Sequence, residues 1–91
     1  EELEFLKEHS PQTYAKAIEV IQEREEFKRE MRNYKTKDQV DKAYGLRMNG
    51  YIVAMKSASG DDVEIIQMKA AAIRDEYNKF IGSNEYKELE E

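Results

Sequence analysis

Residues 61–81 read DDVEIIQMKAAAIRDEYNKFI. Within them Val63, Ile66, Ala70, Ile73, Tyr77 and Phe80 follow one another at steps of 3, 4, 3, 4 and 3. Such steps put side chains on one edge of a helix and on both faces of a strand, so the spacing predicts a helix with a heptad seam. Small Ala70 and Ala71 lie at its middle, where a neighbouring helix can approach. Nowhere does the chain alternate with a period of two for long enough to predict a strand.

The flanks carry helix punctuation. Upstream, Ser57-Ala58-Ser59-Gly60-Asp61 is the plainest turn in the chain, with Asp61 expected to cap the helix and Glu64 three residues later. Downstream, Ile81-Gly82 reads as a helix end with a left-handed glycine, and Ser83-Asn84 can start a last short helix. Before the turn, Thr36-Lys37-Asp38-Gln39 has the T-x-x-Q form of a capping box. Val40, Tyr44, Met48, Tyr51 and Met55 then recur at steps of 4, 4, 3 and 4, one face of a second long helix. Gly45 and Gly50 interrupt it, each costing about 1 kcal/mol against Ala. A close helix approach would explain them, and a kink is the rival. Earlier still, Ser10-Pro11 restarts the chain, with Ser10 placed to accept from the free N–H groups and Pro11 at a position that needs no donor. Tyr14, Ala17, Ile18, Ile21, Phe27, Met31 and Tyr34 predict a helix from Pro11 to about Asn33. Glu2 to His9 reads as a short helix with Leu3 and Leu6 one turn apart.

The predicted fold is therefore all-α. It is one domain over residues 1–91, an antiparallel bundle of three long helices with short terminal helices. Each long helix is about 20 residues and about 30 Å. Their apolar seams are narrow. A core closed within the chain and a core completed by a second copy both satisfy them, and both stay open at this point.

Composition excludes several chemistries. The 91 residues contain no Cys, no Trp, one His and one Pro. No disulfide framework, zinc finger or thiol nucleophile can be built from them. Charged residues are 38% of the chain and the net charge is −5. No run approaches the roughly 18 apolar residues of a membrane span. The first residues, Glu1-Glu2-Leu3-Glu4, do not resemble a secretory leader. Cytoplasmic placement is the default expectation.

The charge is uneven, with a net-basic middle, residues 24–60, between two net-acidic ends. Arg24, Lys28, Arg32 and Lys35 form a stripe on the first long helix. Like charges at one-turn spacing repel, so phosphate groups or an acidic partner would relieve them. The plainer reading is a solvated face, neutralised by pairs such as Glu25 with Arg29 or by the acidic ends of the bundle. Residues 43–60 contain Tyr44, Tyr51, Arg47 and Lys56 and no carboxylate. Aromatic and basic residues together can stack on single-stranded bases, but Tyr44, Met48, Tyr51 and Met55 share one face and read better as core.

No catalytic set emerges. His9 adjoins Ser10 but lacks a third member for nucleophilic catalysis. Asp61, Asp62 and Glu64 lack the order of a calcium loop, and Glu25-Glu26 and Asp75-Glu76 are sequence neighbours that diverge on a helix. No carboxylate convincingly interrupts an apolar face. Arg24 does interrupt one, between Ile21 and Phe27, and is expected to snorkel. Gly45 and Gly50 do not make a phosphate loop. No catalytic, cofactor-binding or metal-ligating residue is predicted.

The succession Glu25-Glu26-Phe27, an Asp38-led helix, the turn at Gly60-Asp61-Asp62, then Tyr77-Asn78-Lys79-Phe80 and Asn84-Glu85-Tyr86-Lys87-Glu88-Leu89 resembles the YlbF/YmcA family of small helical bacterial proteins. The resemblance covers roughly residues 14–90. It implies an all-α, self-associating, non-enzymatic regulator that works through protein contacts, with no catalytic residue or cofactor to carry over.

The expected function is a helical protein–protein interaction module, an adaptor or regulator and a homo-oligomer. Val63, Ile66, Ala70, Ile73, Tyr77 and Phe80 are its candidate self-association seam. The alternative is a small nucleic-acid-associated protein of phage or plasmid type, using Arg24, Lys28, Arg32 and Lys35.

Overall fold

A computed structural model describes residues 2–91, apart from the side chains of Glu2 and Leu6. The expected contact between Leu3 and Leu6 thus lies outside the described residues. Five helices follow in order: α1 (Glu2–His9), α2 (Pro11–Arg32), α3 (Lys37–Ser57), α4 (Asp61–Ile81) and α5 (Asn84–Lys87). The chain is all-α, as the periodicities predict.

The punctuation explains most boundaries. Thr36 Oγ1 accepts from the backbone N–H of Gln39 at 3.1 Å, while Gln39 Oε1 accepts from the backbone N–H of Thr36 at 3.3 Å. This reciprocal capping box fixes the start of α3. Ser83 caps α5 by accepting from the Tyr86 N–H. Three expected caps differ. Ser10 makes no side-chain cap; its hydroxyl donates to Thr13 Oγ1 at 2.8 Å instead. Asp61 is the first residue of α4, and Gly60 is its N-cap, with φ 59°. Asp61, Asp62 and Glu64 then act on the positive end of the helix dipole. Gly82 closes α4 at φ −85°, a right-handed conformation rather than the expected left-handed one.

Cross-links define the topology. Lys16 pairs with Asp61, Glu19 with Lys69, Arg24 with Glu76 and Arg32 with Glu85. Both members of each pair advance along the chain, so α2 and α4 run parallel. Arg47 reaches both Glu23 and Glu30 while Tyr51 reaches Glu23, which sets α3 antiparallel to α2. The bundle is up-down-up, with α4 packed on both α2 and α3, α1 on α2, and α5 on α4.

The core sits at one end. Phe27 and Met31 from α2, Val40 from α3, and Ile73 and Phe80 from α4 are buried together. Tyr34, Tyr77, Tyr86 and Leu89 pack around them. The C-terminal residues buckle this end: the Lys37 N–H donates to the Glu90 carbonyl at 2.7 Å, and the Glu90 N–H to the Lys35 carbonyl at 3.2 Å. Tyr44 stacks on Tyr77, ring centroids 4.0 Å apart, and the Tyr77 hydroxyl donates to Asp41 at 2.7 Å. The other end, where α2 and α4 begin and α3 finishes, contains none of these fully buried side chains.

Candidate functional site

Two surfaces stand out among the described residues, and the first is a cleft along α2. Arg24, Lys28 and Arg32 recur every fourth residue and so line one wall. Lys79 and Phe80 of α4, with Ser83 and Glu85 beyond it, form the other, and Met31 and Phe80 make an apolar floor. Its volume is about 230 Å³. Arg24 Nε lies 2.7 Å from Glu76 Oε1, and Arg32 Nε lies 3.4 Å from Glu85 Oε2. The expectation that acidic segments would neutralise part of the basic stripe therefore holds for these two. Arg24 Nε is itself buried and makes no well-directed hydrogen bond, because the ion pair lies off its N–H axis. Lys28 has no carboxylate within ion-pair distance among the described residues.

The structure does not bring the fourth stripe residue into the cleft. Lys35 lies beyond the end of α2. Its N–H donates to Gln39 Oε1, its carbonyl accepts from Glu90, and its side chain is exposed. Arg24 likewise does not simply snorkel, because it faces Glu76. Glu76 is only 6% exposed and was not singled out by the sequence. The signal was its place one turn beyond Ile73, on the flank of the seam that faces α2.

The seam on α4 turns inward. Ile73 and Phe80 are buried; Val63, Ile66, Ala70 and Tyr77 are partly buried. Ile73, Tyr77 and Phe80 belong to the core formed with α2 and α3. These contacts close the bundle within the chain, so the fully buried part of the seam is not available to a second copy.

The second surface is the outer face of α3. Tyr44, Met48 and Tyr51 point to the core as expected. On the opposite side Leu46 is 74%, Val53 57% and Ile52 50% exposed. Gly45 and Gly50 also face outward, and a Cβ at either would meet nothing within 4 Å. Neither glycine serves a close approach inside this chain, and α3 runs through both without a break. Between Lys42 and Lys56 the only charged side chain is Arg47, and it is turned inward. Its guanidinium donates to Glu23 at 2.6 Å and to Glu30 at 2.8 Å and lies over the Phe27 ring, 5.1 Å from the centroid. The outer face is thus left uncharged. The spacing of seven between Leu46 and Val53 was the sequence signal for it.

Ionisable groups elsewhere serve the fold. Burial alone would raise the Glu30 carboxyl. Hydrogen bonds from Tyr34 and Arg47 outweigh this and hold it below its ordinary value. Burial, with the Glu23 carboxylate beside it, pushes the Tyr51 phenol up to about 12. His9 is exposed and packs on the Phe5 ring, centroids 4.4 Å apart. Among the described residues no three His, Asp or Glu side chains are grouped to hold a metal ion, and no helix is long and apolar enough to cross a membrane. No protein-family model, curated protein or solved structure matches the chain.

Proposed function

We propose that the protein is a non-enzymatic helical interaction module that pairs with a second copy of itself through the outer face of α3, and that it acts as an adaptor or regulator in the cytoplasm. The observation that carries this is the uncharged, apolar and glycine-containing face at Gly45, Leu46, Asn49, Gly50 and Val53. Two mid-helix glycines cost stability in the isolated chain, and nothing inside it uses the space they leave. A partner helix would. Reversing the stripe about the peptide between Asn49 and Gly50 exchanges Leu46 with Val53 and Gly45 with Ala54. Two antiparallel copies thereby set large against large and small against small, with Asn49 over Gly50 at the axis, so the backbones can approach at the small positions of a two-fold contact.

The areas agree with this reading. A compact monomer of 10.7 kDa exposes about 5,500 Å². This chain exposes 6420 Å². The excess, roughly 900 Å², goes with an elongated shape that leaves faces such as the outer side of α3 open. A face without carboxylates also lets two chains of net charge −5 approach. The resemblance to the YlbF/YmcA family points the same way. The nucleic-acid reading is less favoured, because Arg24 and Arg32 already face carboxylates and Lys35 stands apart from them.

Sedimentation equilibrium tests the proposal. The mass should rise with concentration from 10.7 kDa to twice that value. Leu46→Asp should hold it at the monomer while leaving helicity intact. Gly50→Ala should stabilise the monomer by about 0.5–1 kcal/mol yet weaken the dimer. A wild-type chain that stays at 10.7 kDa throughout would refute self-association.

A further inference from the structure

We propose that the cleft between α2, α4 and α5 is a binding site for a small phosphate monoester, with Lys28 as its central ligand and Met31 and Phe80 as the seat for the organic part. Four cations line the cleft, Arg24, Lys28, Arg32 and Lys79, against two carboxylates, Glu76 and Glu85. The lining carries an excess of two positive charges, one once the Lys79–Asp75 pair is counted, and this favours an anion centred on Lys28. Lys79 also pairs with Asp75 at 3.0 Å, but that pair is exposed and readily exchanged for a better partner.

Three features distinguish this arrangement from a solvated basic face. Glu76, nearly fully buried, places its charge 2.7 Å from Arg24 Nε at the back of the cleft, and no hydrogen bond from the guanidinium is formed among the described residues. Glu85 engages Arg32 on the opposite side of Lys28. Lys28 sits between the two ion pairs with no carboxylate of its own among the described residues. Glu76 and Glu85 offset the repulsion at Arg24 and Arg32, so the charge the fold leaves uncompensated in the stripe within the cleft is that of Lys28, and an anion there would meet it. The floor is Met31 and Phe80, both from the buried core and 1% and 9% exposed, so it is a fixed surface with Phe80 as its accessible part.

Size and charge narrow the ligand. A volume of about 230 Å³ is below the about 300–1,000 Å³ that drug-sized ligands occupy. It suits one phosphate and a compact apolar body. A nucleic-acid strand would need cations continuing along its backbone, and Lys35, the next in the stripe, is not part of the cleft.

The test is titration of the whole chain with phenyl phosphate, followed by amide chemical shifts, with inorganic phosphate and a mixed-sequence single-stranded oligonucleotide as separate arms. Phenyl phosphate should bind saturably, with shifts centred on residues lining the cleft. It should bind more tightly than inorganic phosphate, because only the ester uses the floor. Lys28→Gln should weaken binding by about tenfold and Lys35→Gln should leave it unchanged. Lys28 is partly exposed, so the variant should fold, and an unchanged far-UV spectrum checks this. Three results would each overturn the proposal: no saturable binding at millimolar concentration, equal losses from Lys28→Gln and Lys35→Gln, or tighter binding of the oligonucleotide than of phenyl phosphate. The site lies on α2 and α4 and its test is independent of self-association through α3.

Discussion

Arg47 shows how one side chain decides what a surface offers. It lies on a helix whose other charged residues are outside the span 43–55, and it turns inward to bridge Glu23 and Glu30. Glu30 accepts from Tyr34 as well. Its carboxyl is therefore held below its ordinary value of 4.5. A group whose pKa falls on folding stabilises the fold above its unfolded pKa and loses that contribution as the pH drops through the folded one. Stability of the wild type should accordingly decline as the pH falls below 4.5. Glu30→Gln should be less stable at neutral pH and show a shallower decline, read from melting temperature against pH. Tyr51 gives the opposite sign. Its pKa rises from 10.0 to about 12, so its contribution is present below pH 10 and disappears as the pH climbs through 12. Tyr51→Phe should flatten alkaline unfolding over that range. At the core, Phe27 is fully buried; Phe27→Ala should cost about 3–5 kcal/mol in denaturant unfolding.

Elements were legible where local chemistry dictates them. The capping box at Thr36 and Gln39 needs only neighbours in sequence, and it forms. Thr36→Ala should lower stability by about 1 kcal/mol, with the first amides of α3 losing protection from hydrogen exchange before those of α4. The start of α4 was less legible because two adjacent residues compete for the cap. Gly60 takes the positive φ, and Asp61 then enters the helix as an ordinary first-turn acid. The seam at Val63, Ile66, Ala70, Ile73, Tyr77 and Phe80 was legible as a seam. What it meets was not, since a heptad pattern fits a neighbouring helix of the same chain as well as one from another. The outer face of α3 escaped notice because Tyr44 and Met48 draw attention to the inner one. Glu76 escaped because a buried carboxylate is recognised by Arg24, a residue 52 positions away in sequence. Pattern within a segment carries no record of such a pairing.

At the scale of the molecule, the two ends differ in how they are held. The radius of gyration is 15.1 Å, against about 12 Å for a compact chain of this length. The long axis extends 47 Å and the short one 17 Å. A slab of this shape has one well-packed end, and that end is secured by the bridge between Thr36 and Glu90 and by Leu89 against the core. The other end relies on half-buried side chains and on ion pairs such as Lys69 with Glu19. Exposed pairs of this kind contribute little each, so local opening should begin at the unbuckled end, where α2 and α4 start and α3 finishes. Deleting residues 89–91 should reverse that order. It removes both backbone hydrogen bonds to the α2–α3 turn and the packing of Leu89. A loss of about 1–2 kcal/mol would lower the melting temperature by roughly 4–16 °C in a domain this small. Hydrogen exchange should then accelerate first at residues 33–40, while α3 beyond Met48 keeps its rate. Because the outer face of α3 is untouched, the truncated chain should still pair. A truncation that abolished pairing while leaving helicity intact would place the interface at the buckled end and not on α3.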